Sequence, residues 1–243
     1  MTAVALISDV HSNVFALEAV LADIDKRRIT RIVNLGDSLY GPMDIHGTYS
    51  LLRSRPMLHL RGNCDRLLLL PPTVSPSTMD RNRRELTAEE RAWIEELPET
   101  AEEEGLFLCH GTPESDEIYL LDKLDQHGCH PRPLEELVSM TNGVVHPVIA
   151  CGHSHRPAIV YLPNGKTVIN AGSVGLPAYH DDLPIDHKME SGTPHANYTL
   201  AVHDPSGWRF EQFSIPYDWE AAASMADFNG RPDWAQSIRT GFA

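Results

Sequence analysis

An α/β fold of two sheets packed face to face, with helices outside, is predicted by three features of the sequence. The first half alternates short apolar runs with an amphipathic helical pattern. The second half is dominated by hairpin signals. Five of the apolar runs end abruptly in Asp, His or Asn, mostly beside glycine, as strands do when their ends carry a site. A chain of 243 residues is long enough for one large, well-buried α/β domain in preference to two small ones.

Taken in order, residues 4–7 lack period-two polar alternation and read as a strand buried on both faces. Ser12 or Asn13 can cap the next helix, where Val14, Leu17, Val20, Leu21 and Ile24 recur at three- and four-residue steps. Lys26-Arg27-Arg28 closes it with cations at the negative end of the dipole. Residues 32–35 form the next strand and complete a β-α-β unit, for which parallel pairing and a right-handed crossover are the default. A loop at 39–45 holds Gly41-Pro42, a short helix runs to about Leu52, and residues 57–60 are the third strand. Pro71-Pro72 and Ser75-Pro76 then break the alternation. Thr87-Ala88-Glu89-Glu90 is a capping box opening a helix that carries Trp93, Ile94 and Leu97, and Pro98 stops it. This mainly helical insertion, about 71–104, is a candidate rim or lid.

Residues 106–109 are the fourth strand, 117–124 and 134–140 read as short helices, and 148–151 are the fifth strand. Asn164-Gly165 between the apolar segments 158–162 and 167–170 signals a hairpin with a type I′ turn. A second hairpin joins 198–203 to 208–215 across Asp204-Pro205-Ser206-Gly207. Between them, 179–195 is polar and aperiodic and reads as a mobile loop. One or two short helices, the firmer at 221–228, end the chain.

A net charge of -14 argues against an extended nucleic-acid face, which needs a basic surface. It does not argue against a small phosphate ester held by metal. No stretch approaches the roughly 18 apolar residues of a membrane helix, and the run 3–7 is too short for a signal segment. Cys64, Cys109, Cys129 and Cys151 show no CxxC pair, so reduced thiols in a cytoplasmic protein are expected. Cys64, Cys109 and Cys151 read as small buried residues.

The five run ends deliver Asp9, His11, Asp37, Asn63, His110, His153 and His155 to one edge of the fold. Carboxylate, imidazole and amide oxygen together suit manganese, iron, zinc or cobalt. Seven ligands are too many for one ion that must also hold substrate, and suit two ions sharing a carboxylate.

Asp9-x-His11, Gly36-Asp37, Gly62-Asn63-x-Asp65, His110 and Gly152-His153-x-His155, in this order, resemble the calcineurin-like metallophosphoesterase superfamily. Leu39-Tyr40-Gly41-Pro42 and Asn170-Ala171-Gly172-Ser173-Val174 resemble its small prokaryotic members, and the likeness runs from residue 4 to about 220. The resemblance implies a four-layer α/β/β/α sandwich of two mixed sheets, as a single domain over 1–243. It implies two divalent ions, manganese first, with iron, zinc, cobalt or nickel as alternatives. Asp9, His11 and His155 would hold one, Asn63, His110 and His153 the other, and Asp37 both; Asp37, Asn63 and His110 would count as catalytic. Two ions about 3.5–4 Å apart can hold hydroxide and clamp phosphate oxygens.

Two departures stand out. Many relatives have histidine where this chain has Cys64, a poor leaving-group acid. The substrates that fit are then small phosphodiesters or phosphoanhydrides, such as nucleotides or dinucleoside polyphosphates, rather than alkyl monoesters. Leu176-Pro177-Ala178 also lacks the arginine that relatives often carry at its last position. Asp65 reads as a brace for Asn63 or a nearby loop, and His180, His187 and His195 as loop residues that could touch substrate. The alternatives are a phosphoprotein phosphatase, or an impaired metal- or nucleotide-binding regulatory protein. A plain dinucleotide-binding fold lacks its GxGxxG after the first strand.

Overall fold

In the computed structural model, which describes residues 2–243, two five-stranded mixed sheets pack face to face and helices cover their outer surfaces. Alternation along the strands explains the layering. Val4 and Leu6 of strand Thr2–Ile7 point inward to meet Leu106, Leu108, Val148, Ala150 and Ile169 of the second sheet. Ala5 and Ile7 point outward onto Leu17, Val20 and Ile24 of helix Val14–Lys26. On the far side, Cys109, Ile149, Cys151 and Val168 pack against Leu137 of helix Leu134–Met140. Strands buried on both faces have no polar side to show, which is why they read as continuous apolar runs.

The first sheet runs Gly207–Ile215, Ala196–Asp204, Thr2–Ile7, Arg31–Asn34, Leu58–His59. The last three strands are parallel, so their carboxyl ends share an edge. The second sheet runs Thr100–Glu103, Leu106–Cys109, Val148–Cys151, Thr167–Asn170, Ala158–Tyr161. Its central three strands are parallel too. Backbone bonds sew the two edges together where the loops leave: Val174 N–H donates to Ser8 O at 2.9 Å and Gly175 N–H to Asp9 O at 3.0 Å.

Three expectations need correction. Residues 117–124 are not helical; Asp122–Asp125 pairs with Gly128–Pro131 in a small hairpin. The Arg132 guanidinium donates to the carbonyls of Tyr119, Leu120 and Asp122, so side-chain bonds take the place of helical ones. The segment 179–195 is not a loop throughout, because Ala178–Asp181 pairs antiparallel with His187–Glu190. There the buried alternates are His187 and Met189, and a buried histidine hides the pattern. The 158–170 hairpin does not close with a type I′ turn: Pro163 holds φ negative, Gly165 alone has φ of 84°, and Gly165 N–H donates to Leu162 O. Helix Thr78–Glu85 and strand Thr100–Glu103 were not legible. The helix has no apolar stripe and is fixed by Ser77 capping Asp80 N–H and by an Asp80–Arg83 ion pair.

Between the sheets, Leu108 is fully buried. Leu108→Ala is expected to cost about 2–5 kcal/mol in urea unfolding; a loss below about 1 kcal/mol would mean the inter-sheet layer is not the tightly packed core described here.

Candidate metal centre

The strand ends turn sharply, and the turns are strained. Asp9, His11, Asp37, His153 and His155 all have φ between 50° and 68°, a region that residues with a Cβ seldom enter. Such strain concentrates where surrounding structure over-determines the backbone, typically at functional sites. Glycine makes the crowding possible. A Cβ on Gly62 would lie 2.1 Å from Asp37 Oδ1, and one on Gly152 would lie 1.9 Å from Ser8 Oγ.

The turns bring all seven side chains together. His11 Nε2 lies 3.1 Å from His155 Nε2 and 3.9 Å from Asp37 Oδ2. His155 Nε2 is 3.4 Å from Asp9 Oδ1. His110 Nε2 is 3.5 Å from Asp37 Oδ2, 4.0 Å from Asp9 Oδ1 and 3.0 Å from Asn63 Oδ1. His153 stands with its ring 5.0 Å from that of His110, centroid to centroid. Asp9, His11 and His155 form a compact triad of ligand atoms, and Asp9, Asp37 and His110 another. Asn63 and His153 flank the second triad from outside it.

The donor chemistry fits divalent metal. His11 Nδ1–H donates to Tyr40 O at 3.0 Å, and His155 Nδ1–H to Leu176 O at 2.6 Å. Because a carbonyl only accepts, each Nδ1 carries a proton, and in the neutral ring each Nε2 is left as an acceptor. The two Nε2 atoms face each other at 3.1 Å, a contact that a cation shared between them stabilises. Among the described residues Asp9 Oδ1 beside them is buried without a hydrogen-bond partner, which costs free energy unless an ion satisfies it. Burial, and then the neighbouring His155, push His11 down to about 4. Burial and then His110 do the same to His153, so both are neutral bases near pH 7. Burial opposes charge on His110, but Asp37 and Asp9 outweigh it and push it up to about 10. A cation can replace that proton at Nε2. Burial alone would raise Asp37; His110, His11 and His153 hold it well below the usual carboxylate range.

Asp65 anchors the Asp37 turn. Its carboxylate accepts from the N–H groups of Asp37, Ser38 and Gly62 at 2.8, 2.9 and 3.1 Å. Cys64 is half-buried rather than buried; its N–H donates to Asp37 Oδ1 at 2.9 Å and its side chain lines the site. Helix Asn63–Leu68 presents Asn63, and arginines of the insertion hold its far end: Arg83 donates to Leu67 O and Arg91 to Leu68 O.

Above the centre lies a cavity of about 300 Å³. Its wall holds residues that the strand-end pattern did not flag: Tyr40, Tyr119, Tyr179, Arg231 and Trp234. Only their burial in three dimensions marks them. His180 joins this wall, His187 sits behind it with Nε2 3.0 Å from Tyr119 Oη, and His195 does not reach it. No residue of 71–104 is part of the wall, whereas the strand Ala178–Asp181 contributes three.

Two sheets with helices outside and a strand-end cluster of carboxylate, amide and imidazole define a metallophosphoesterase. Residues 2–185 match the family model described as calcineurin-like phosphoesterase superfamily domain, and the chain belongs to that superfamily. It is similar to the uncharacterized protein MJ0912 of Methanocaldococcus jannaschii, 25% identical over 95% of this chain and 94% of that one. It also resembles the crystal structure of a metallophosphoesterase from Sphaerobacter thermophilus (TM-score 0.77, 21% identity, 99% of both chains). A hypothetical protein, PH1004, from Pyrococcus horikoshii OT3 is similar as well (TM-score 0.74, 16% identity, 99% of both chains).

Asp65→Asn keeps the size of the side chain but sets an amide N–H against backbone N–H groups that now donate to a carboxylate. It is expected to weaken manganese binding about 10–100-fold, as loss of an outer partner of a ligand does, measured by equilibrium dialysis. Unchanged affinity in a folded variant would show that Asp65 does not position Asp37.

Proposed function

We propose that this phosphoesterase hydrolyses small phosphodiesters or phosphoanhydrides, such as nucleotides or dinucleoside polyphosphates, at a dinuclear divalent-metal centre. The facing Nε2 atoms of His11 and His155 beside the unpartnered Asp9 Oδ1 carry this reading. Asp9, His11 and His155 would hold one ion and Asn63, His110 and His153 the other, with Asp37 shared; manganese is the first candidate. When bound, such ions supply Lewis acidity and lower the pKa of water toward neutrality.

The chain's own part is positioning. Tyr40 and Leu176 carbonyls fix the tautomer and ring orientation of His11 and His155, and Leu35 O does the same for His110 at 2.9 Å. Asp65 and the Cys64 N–H hold the Asp37 carboxylate in place. Cys64 stands where an acid for the leaving group would help, and burial and Asp37 raise its thiol pKa well above the usual range. Leaving groups that depart without a strong acid are therefore favoured. The aromatic-walled cavity supports a small substrate over a phosphoprotein, which needs an open, shallow site. Because residues near the C-terminus help wall it, we take 1–243 as one catalytic unit, with a cytoplasmic setting.

Metal-depleted protein reconstituted with manganese, iron, zinc, cobalt or nickel is expected to cleave bis-nitrophenyl phosphate in preference to an alkyl monoester. A clear preference for the monoester would contradict the leaving-group reading. Asp37→Ala and Asn63→Ala are each expected to lower kcat by at least about 100-fold, on the scale of losing a preorganised electrostatic group. Near-normal turnover in either folded variant would remove that residue from the assignment.

A further inference from the structure

Among the residues that wall the cavity, Arg231 alone is a lysine or arginine. It precedes helix Pro232–Thr240, far in sequence from the strand ends. Its guanidinium lies over the Trp234 ring, 5.1 Å from the centroid. Trp234 in turn meets His11 and Tyr40 edge-on, each at 5.6 Å between centroids. The cation is thus set one aromatic ring back from a candidate ligand of the metal centre. Asp233 accepts from Nε at 2.8 Å and Nη2 at 2.5 Å, and Thr78 Oγ1 accepts from Nη1 at 2.9 Å. These contacts fix the plane of the guanidinium and use only part of its five-donor fork. A planar fork stacked on an aromatic face is well suited to bidentate phosphate recognition.

We propose that Arg231 is a specificity-determining residue that binds a second phosphoryl group of the substrate, next to the one attacked, and so selects phosphoanhydrides over simple diesters. The inference rests on the phosphohydrolase reading and narrows its substrate class. A diaryl phosphate carries its one negative charge on the oxygens of the reacting phosphoryl group. A nucleoside diphosphate carries further charge one phosphoryl group away, where the set-back cation can meet it. Asp233, whose side chain is 61% exposed, competes for the same guanidinium. Removing its charge should therefore strengthen the grip on an anion, an effect opposite in sign to removing the arginine.

The test is calorimetric binding of α,β-methylene adenosine diphosphate and of adenosine monophosphate to the manganese-loaded protein, with bis-nitrophenyl phosphate turnover measured alongside. Wild type is expected to bind the diphosphate at least about tenfold more tightly than the monophosphate, a ratio worth about 1.4 kcal/mol. Arg231→Gln is expected to erase most of that ratio, Arg231→Lys to restore part of it, and Asp233→Asn to increase it. An unchanged ratio in Arg231→Gln, equal weakening of both ligands, or weaker diphosphate binding in Asp233→Asn would each overturn the proposal. Absence of turnover in wild type would instead overturn the hydrolase reading, and the binding ratios would still decide the role of Arg231.

Discussion

Two imidazole nitrogens, on rings whose other nitrogens are spent on backbone carbonyls, stand 3.1 Å apart in the interior. With both rings neutral, lone pair faces lone pair, and burial removes the water that would separate them. The arrangement persists because each ring is pinned from behind by a backbone carbonyl, and because Asp9 lies between them and His110 with an oxygen that has no hydrogen-bond partner among the described residues. Much of the fold serves that confrontation. The parallel strands aim their carboxyl ends at one edge, and backbone bonds from Val174 and Gly175 to residues 8 and 9 close it.

Holding like groups together costs free energy, and the cost is spread over many neighbours. Left-handed backbone at five of the seven residues is tolerated because backbone bonds brace the turns: Asp9 N–H to Gly36 O, His11 N–H to Asp37 O, Gly152 N–H to His110 O. The Asp65 carboxylate gathers three N–H groups of the Asp37 and Asn63 turns into one anchor. Farther out, Arg83 and Arg91 satisfy the carbonyls at the end of the short Asn63 helix, tying the insertion to the site without placing it in the cavity. Cβ-sized crowding at Gly62 and Gly152 shows how little slack remains.

How much of this could be read from the chain depended on whether the signal was local. Doubly buried strands write continuous apolar runs, and helix Val14–Lys26 writes its own period, so the two-sheet architecture was legible. The seven clustered residues were legible because each ends a strand beside a turn. Helix Thr78–Glu85 was not, since charge pairs and a cap hold it instead of an apolar face. Residues 117–124 misled because Arg132, distant in sequence, takes up the carbonyls that a helix would use. The cavity wall was least legible. Tyr119, Tyr179, Arg231 and Trp234 come from three separate segments, and only the docking of the final helices and the Ala178–Asp181 hairpin makes them neighbours. Cys64 showed its chemistry in sequence but not its exposure.

The central claim is that His11 and His155 share a cation with Asp9, and that Asp37 links it to a second. Anomalous diffraction from crystals soaked in manganese tests this most directly. Two strong peaks are expected, one within bonding distance of Asp9, His11 and His155, the other beside Asn63, His110 and His153, with Asp37 reaching both. Peaks remote from these side chains, or none in crystals diffracting well enough to show the imidazoles, would contradict the account.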